Sequence, residues 1–463
     1  MSEATLETIT ALAKRRGFVY PTSEIYGGLA SSYDYGPLGT ELLRNIRDLW
    51  WREMISKRPD MVGLDSQILL HPETWVASGH VASFTDPLVE DKETHKRYRA
   101  DHLIEQWLAA NSGIDDVVVE DLDLEEMGEF IERHNVLSPE GNPISKPKAF
   151  NILFESAIGA VEGEKSKVYL RGETAQGIFS NFRQIVDSSR VRLPFGVGQI
   201  GKSFRNEITT GQFVFRTLEF EQAEIEYFFD AEATDWEPLF KEWQAAMWKF
   251  VHETLGINEE NLRWRRHSDK ERSFYSKETY DLDYLFPFGF QELWGIAYRT
   301  DYDMLAHLKH SGRKLEYIDS QQGGKRIVPH VIEPALGINR VFLMLLCDAY
   351  WEDEENKRKV LRFKPSVAPY KTAVFPLLKN KPALVEKART IFNTLLDHMT
   401  VTWDDRGNIG KRYYYQDEIG TPFCVTVDFD SLDDDTVTVR DRDSATQERV
   451  SVSQLLAYLQ ERI

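Results

Sequence analysis

Cysteine is nearly absent: Cys347 and Cys424 are the only two in 463 residues, too few and too far apart for a disulfide framework or a cysteine zinc site. Long apolar runs are missing too, with no stretch of eighteen that could span a bilayer. The opening MSEATLETIT is acidic and polar, not a basic end followed by an apolar core, so neither export nor membrane attachment is expected. A reducing cytoplasm is the expected compartment. Positive charge is in deficit, with 56 Lys plus Arg against 75 Asp plus Glu and a formal net charge of -19. That balance argues against indiscriminate binding to nucleic acid, which needs local positive charge at each phosphate. Basic clusters at 262–272, 323–326 and 355–364 could touch a polyanion locally or simply be solvated. Internal repeats and low-complexity tracts are absent.

What is present suffices for a large core: 42% hydrophobic and 12% aromatic residues, over a length that suits two or three domains. Leu6, Ile9 and Leu12 predict a short helix over 3–16 that stops at Gly17. A longer helix is predicted from Pro37 to about Lys57, with Leu38, Leu42, Ile46, Leu49, Trp50 and Met54 on one face. That stripe fits either core or a subunit interface. Nine carboxylates and no Lys or Arg lie between Asp115 and Glu132, followed by the turn-rich SPEGNPISKPK, which suggests an inserted, solvated module.

From 187 to 229 the pattern turns to strands, with ITTGQFVF as a hairpin loop containing Gly211. A helix follows in WEPLFKEWQAAMWKFVHETLG, then strands in ETYDLDYLFPFGFQELWGIAYR. KPSVAPYK reads as a linker, and the remainder alternates strand and helix like a small separate α/β domain.

Side chains two or four apart on a strand share a face, so Arg205 points with Glu207, and Arg216 with Phe220, Gln222 and Glu224. Paired as a hairpin, these strands would gather two guanidiniums, an aromatic plate and carboxylates on one surface. Such a set suits a nucleoside triphosphate, because arginine forks match phosphate oxygens and an aromatic face stacks on a base. An amphipathic sheet with cross-strand ion pairs is the plainer reading. Arg340 falls where VIEPALGINRVFLMLL passes from strand to apolar helix, a place to meet an anion. Glu292 sits among apolar residues, where burial is costly unless it is paired or bound to metal.

Together FRNE (204–207), Arg216-x-x-x-Phe220-x-x-x-Glu224 and Gly337-Ile-Asn-Arg340 resemble motifs 2 and 3 of the class II aminoacyl-tRNA synthetases. More narrowly, ASGHVASFTDPLV, RYRADHLIE, RGETAQGIF, QELWGIAYRTDYD and HVIEPALGINR resemble the glycyl-tRNA synthetases of the single-chain, homodimeric type, over nearly the whole chain. The resemblance implies an α+β fold: an antiparallel sheet flanked by helices in a catalytic domain over 1–362, with an inserted acidic module at about 86–160. An α/β anticodon-binding domain would follow over 366–463, and the helix after YDYGPLG, in the motif 1 position, would be dimer interface.

By that resemblance, Arg205 holds the α-phosphate of ATP while Arg216 and Arg340 grip the distal phosphates. Phe220 stacks on adenine and Glu207 helps read its amino group. Asn206, Phe215, Thr217, Leu218, Glu219, Leu293, Gly337, Ile338 and Asn339 complete the ATP site. Glu292 and Glu333 would hold Mg2+. Glycine would be held by Glu173, Glu224 and Glu333, with Arg99, Phe220, Glu221, Gln222, Ala223, Pro334, Ala335, Leu336 and Gly337 around it. The implied activity is ligation of glycine to tRNA(Gly) through glycyl-adenylate, with diadenosine tetraphosphate synthesis as a side activity. A non-catalytic RNA- or protein-binding relative, and an adenylate-forming enzyme with another acceptor, are the alternatives. Two positions depart from the family pattern: Ala335 where Glu-Pro-Ser is usual, and Gly172 where Arg-Pro-Glu-Thr is usual. Lys411, Arg412 and Tyr413 to Tyr415 could contact unpaired bases or form an aromatic edge strand.

Overall fold

A computed structural model describes residues 5–111, 117–159, 166–208, 212–269, 272–273 and 275–463. Asp115 and Asp116 of the acidic run and Gly211 of the expected hairpin loop lie outside these residues.

A seven-stranded sheet organises the larger part of the chain. Its strands are β1 (Met61–Gly63), β2 (Phe195–Phe204), β3 (Glu219–Phe229), β4 (Leu262–Arg266), β5 (Glu278–Phe286), β6 (Gly289–Thr300) and β7 (His330–Gly337). They lie in the order β4-β5-β6-β7-β3-β2-β1, antiparallel throughout except for the β1–β2 pair. This places β3, the strand of the EFEQAEIEYFF segment, between β2 and β7, so the three segments singled out in the sequence are direct neighbours.

The helices that back the sheet follow their sequence signals. Helix α1 (Leu6–Arg16) starts on the Thr5 side chain and stops at Gly17, whose φ of 78° is the left-handed region that glycine tolerates. Helix α2 (Pro37–Trp51) begins with proline at its first turn and continues as one wider turn over Arg52–Ser56. Its apolar stripe, Leu38, Leu42, Ile46, Leu49, Trp50 and Met54, is buried within this chain, packed in the same core as helix α5 (Ile338–Ala349). Of the two readings of that stripe, core is the one the packing satisfies. Helices α3 (Ala175–Ser189) and α4 (Tyr302–Ser311) enclose a second cluster around Phe179, Phe182 and Phe228.

The acidic region is folded around apolar residues of its own. Strands Thr85–Glu90, Arg97–Arg99 and Lys148–Asn151 form a three-stranded sheet. Helix Leu124–His134, started by an Asp123/Glu126 capping box, buries Met127, Phe130 and Ile131 while turning its glutamates outward.

The C-terminal sheet joins β8 (Thr372–Pro376), β9 (Val401–Trp403), β10 (Phe423–Val427), β11 (Thr436–Asp441) and β12 (Gln447–Ser451) in the order β9-β8-β10-β11-β12, with helices α6 (Pro382–Leu396) and α7 (Ile409–Ile419) against it. Two expectations are corrected here. The supposed linker is not free: Val367 and Ala368 are buried, and both carbonyls accept from the Asn45 amide at 2.9 Å. The residues Lys411 to Tyr415 form helix α7, not an edge strand, because the Asn408 side chain caps its first turn and Gly420 ends it. In consequence Arg412 is 2% exposed and donates to the carbonyls of Pro376, Arg406 and Gly407, so it holds loops and is unavailable to RNA.

Asp417 of α7 joins the two parts of the chain. Its carboxylate, fully buried, accepts from Arg440 at 2.8 and 3.0 Å and from Arg358 of the hairpin after α5 at 3.0 Å. Removing it would leave two buried guanidiniums short of their partner, a loss of about 3–5 kcal/mol. Asp417→Ala is therefore expected to lower the urea midpoint sharply, checked by circular dichroism; a midpoint equal to wild type would contradict the buried triad.

Candidate active site

The ends of β2 and β3 and the start of α5 meet at one pocket. Antiparallel pairing persists beyond the strands, since the Arg205 N–H donates to Leu218 O at 3.0 Å, and this brings FRNE beside Arg216. Arg216 donates to Glu207 at 2.8 Å, and Arg205 Nη1 lies 4.0 Å from the same carboxylate. The Arg205 guanidinium sits over the rings of Phe84 and Phe220 at 5.1 Å each and donates to Gly172 O at 3.1 Å. Arg340, in the first turn of α5, donates to the backbone carbonyl and to Oε2 of Glu292, both at 2.9 Å, and lies over Phe215 at 4.5 Å. Arg205, Arg216 and Arg340 thus face one space with Phe215, Phe220, Glu207 and Glu292. Burial acts to raise Glu207, but Arg216 and Arg205 hold it below the usual carboxylate range. Arg216 Nε is a buried donor with no partner among the described residues.

The other end of the pocket is acidic, lined by Glu173, Gln222, Glu224, Glu333, Tyr275 and Ala335. Glu224 Oε2 accepts from the Thr174 N–H at 2.8 Å and from the Thr174 hydroxyl at the start of α3, where the helix dipole favours an anion. Its Oε1 accepts from Gln222 at 2.9 Å, leaving Gln222 Oε1 without a partner among the described residues. Both oxygens of Glu333 accept from Arg299 Nη1, at 2.8 and 2.9 Å. Arg299 also donates to both oxygens of Asp303, at 2.8 and 2.9 Å, and its guanidinium lies 3.9 Å from the Tyr275 ring centre. Arg299 is 1% exposed and organises this end, yet it was not singled out in the sequence. The available signal was its spacing to Asp303 in AYRTDYD, four apart across a strand-to-helix junction.

Glu226 lies two residues beyond Glu224, across the β3–β7 pair from Glu333, fully buried, with neither oxygen partnered among the described residues. Burial and the facing Glu333 push it well above the usual carboxylate range. Arg299 donates to both oxygens of Glu333, whereas among the described residues no donor serves Glu226, so of the pair Glu226 is the one that loses most by ionising.

Of the other expected residues, Thr217, Glu221 and Asn339 line the pocket while their side chains are bonded elsewhere, and several do not line it at all. The Glu221 carboxylate turns to the opposite face, where Arg47 of α2 donates to it at 2.6 and 3.0 Å. Ala223, Leu293 and Leu336 point into the main core because strand alternation sends them there, and Ile338 is buried in the same core from the first turn of α5. Pro334 pairs with Ile296 in the sheet, and the Asn206 N–H is taken by Ile152 O at 2.8 Å. The Leu218 carbonyl accepts from Arg205, and the Glu219 side chain leaves the site for Lys202 at 3.0 Å. Thr217 donates to Glu219 O at 2.8 Å, while Asn339 accepts from the Glu221 N–H at 2.7 Å and donates to Tyr35. Gly337 lines the pocket. Arg99 does not line it; it pairs with Asp86 and Asp101 nearby, at 3.0 and 2.5 Å. Among the described residues no group of three His, Cys, Asp or Glu side chains is arranged to hold a metal ion. Of the two carboxylates expected at Mg2+, Glu333 accepts from Arg299 with both oxygens, whereas Glu292 is partly exposed at the arginine-lined end.

With this geometry in view, comparison with known proteins is informative. Residues 160–349 match the family described as tRNA synthetase class II core domain (G, H, P, S and T), and residues 371–462 match the anticodon binding domain. The glycine-tRNA ligase of Acetivibrio thermocellus is 50% identical over 461 residues, covering 98% of each chain. Those of Clostridium acetobutylicum and Lachnoclostridium phytofermentans are 49% and 50% identical, covering 100% and 99% of this chain and 99% of each relative. The chain belongs to the glycine-tRNA ligase family.

Within that family's pattern, the two departures have distinct settings here. Gly172 is packed: a Cβ there would come 2.8 Å from the Phe84 ring and 3.1 Å from Leu153, so neighbouring side chains fill the room a larger residue would take. Ala335 lies in the pocket wall, paired across the sheet with Glu224 on one side and Gly295 on the other.

The upward shift of Glu226 gives a signed pH dependence. A carboxyl raised on folding contributes stability in full below its unfolded value, and that contribution is lost as pH rises toward its folded value. Glu226→Gln keeps the shape and cannot ionise. The variant is expected to gain stability relative to wild type progressively as pH rises above about 4.3, the ordinary glutamate value. Thermal unfolding of both proteins between pH 5 and 9 measures it; a difference that is flat with pH would refute the upward shift.

Proposed function

We propose that the pocket activates glycine with ATP and that the chain then transfers the glycyl group to tRNA(Gly). The observation that carries this reading is the polarity of the pocket: three arginines at one end and a carboxylate cluster at the other, where the Gln222 carbonyl has no partner among the described residues. A triphosphate suits the first end, and a small ammonium-bearing substrate suits the second.

In the first step an oxygen of the glycine carboxylate attacks the α-phosphorus, the bond to the bridging oxygen breaks, and pyrophosphate leaves. In the second, the terminal hydroxyl of tRNA attacks the glycyl carbonyl and AMP leaves. Neither step needs a side-chain nucleophile. Arg205 is placed to stabilise charge at the α-phosphate, while Arg216 and Arg340 orient the distal phosphates; fixed charges that need no rearrangement are efficient catalysts. Phe220 offers a stacking face to adenine, with Glu207 at its edge. Glu173, Glu224 and Glu333 receive the ammonium, and close packing excludes larger side chains, since overpacking costs about 1–3 kcal/mol. Mg2+ carried with ATP would be held by Glu292, where it would neutralise phosphate charge. The same reading includes a homodimer, a cytoplasmic location and diadenosine tetraphosphate formation from the adenylate. It also takes 1–362 as catalytic domain, about 86–160 as its insertion and 366–463 as the anticodon-binding domain. Among the described residues no helix is long and apolar enough to cross a membrane.

Amino-acid-dependent ATP–pyrophosphate exchange tests the reading: exchange is expected with glycine and not with alanine or serine, followed by charging of tRNA(Gly). Its absence with all three in folded, magnesium-supplied protein would favour a non-catalytic binding role. Arg205→Ala is expected to slow exchange by about 10²–10³-fold with the fold intact. Ala335→Ser is expected to change the KM for glycine more than that for ATP; equal shifts would remove Ala335 from the glycine site.

A further inference from the structure

His80, in the ASGHVASFTDPLV segment, lies under the acidic end of the pocket and has no part in the chemistry above. It is 7% exposed, wedged edge-on against Trp75 at 5.3 Å between ring centres and tilted against Phe84 at 4.9 Å. Nε2 lies 3.3 Å from Oε2 of Glu173, and Nδ1 lies 2.8 Å from the Ser78 hydroxyl. A carboxylate only accepts, so the Glu173 contact requires a proton on Nε2; the Ser78 hydroxyl then serves Nδ1. Oε1 of Glu173 meanwhile accepts from Gln176 at 2.9 Å. The two oxygens of this pocket carboxylate are therefore fixed from opposite sides, one by helix α3 and one by His80.

The backbone that carries the imidazole is itself anchored from outside the site. The Asn151 amide donates to the carbonyls of His80 and Val81 at 3.0 and 2.9 Å, and the Ile152 N–H donates to Phe84 O at 3.0 Å. Asn151 ends the last strand of the three-stranded sheet at residues 85–151, and the next residue, Ile152, accepts from the Asn206 N–H at 2.8 Å. One short stretch of chain thus braces both His80 and the FRNE segment.

We propose that His80 is a positioning residue for glycine: its Nε2–H fixes the Glu173 carboxylate toward the substrate ammonium, and Asn151 holds the backbone from which the imidazole makes that contact. The inference rests on the pocket's being a glycine site. It assigns no proton transfer to His80, only orientation, and so its signature is a change in glycine recognition without a change in nucleotide recognition.

Pyrophosphate exchange on the full chain, with glycine and ATP varied separately, tests it. His80→Leu removes the donor while filling the space and is expected to raise the KM for glycine about tenfold, the loss typical of a hydrogen bond to a charged group, with the KM for ATP unchanged. His80→Gln, which can place an N–H near Oε2, is expected to recover most of that loss. Asn151→Ala leaves the pocket lining intact, and is expected to raise the glycine KM severalfold in the same selective way even if His80→Leu fails to fold. An unchanged glycine KM in His80→Leu and Asn151→Ala, equal rises for glycine and ATP, or no recovery with glutamine would each overturn the assignment while leaving the glycine site standing. Absence of glycine-dependent exchange in the wild-type protein would overturn the glycine site and this inference together.

Discussion

The Arg299 guanidinium is the fixed point of the acidic pocket. Glu173, Glu224, Glu226, Glu333 and Asp303 are all buried in one neighbourhood, and such a cluster is untenable in a protein interior without compensation. Arg299 supplies that compensation by holding Glu333 and Asp303 with both oxygens each, backed by the Tyr275 ring. Thr174 and Gln222 serve Glu224, Gln176 and His80 serve Glu173, and Glu226, with no donor among the described residues, is pushed well above the usual carboxylate range. Burial acts to raise Glu173, yet His80 and Arg299 hold it well below the usual carboxylate range. The pocket is thus poised for a cation without containing a free one at its centre.

The arginine-lined end follows the opposite rule. Its arginines are paired with Glu207 and Glu292, at the pocket surface and within reach of solvent, so the pairs are exchangeable against a stronger anion. Arg299 is the contrast: it is locked by bidentate partners and serves as framework. Three of the site arginines are positioned to meet a ligand, and the fourth shapes the acids that do.

Much of the site was legible in the sequence because strand alternation is a local rule. Phe220, Gln222 and Glu224 share a face by their spacing alone, and the transition from EPALG to INR marks the end of a strand and the first turn of a helix. The same rule explains the errors. Glu221, Ala223, Leu336 and Leu293 lie within motif segments, but alternation points them to the core or to α2, so membership in a segment overstated their reach. Arg299 and His80 went unassigned because their partners are distant in sequence: Arg299 to Glu333, His80 to Glu173. Helix α7 was misjudged because three consecutive tyrosines favour a strand locally, whereas Asn408 and Gly420 bound a helix whose polar residues, Arg412 and Asp417, find partners only in the folded chain.

The sequence by itself determined the class of chemistry, the order of the elements and the faces of β2, β3 and β7, because periodicity and turn residues act over a few positions. Only the tertiary structure decided which buried carboxylates find donors, which arginines are framework, and that the α2 stripe and the pair Val367 and Ala368 are core. The reason is physical: ionisation and burial depend on the summed field and packing of residues hundreds of positions apart, and no local pattern encodes that sum.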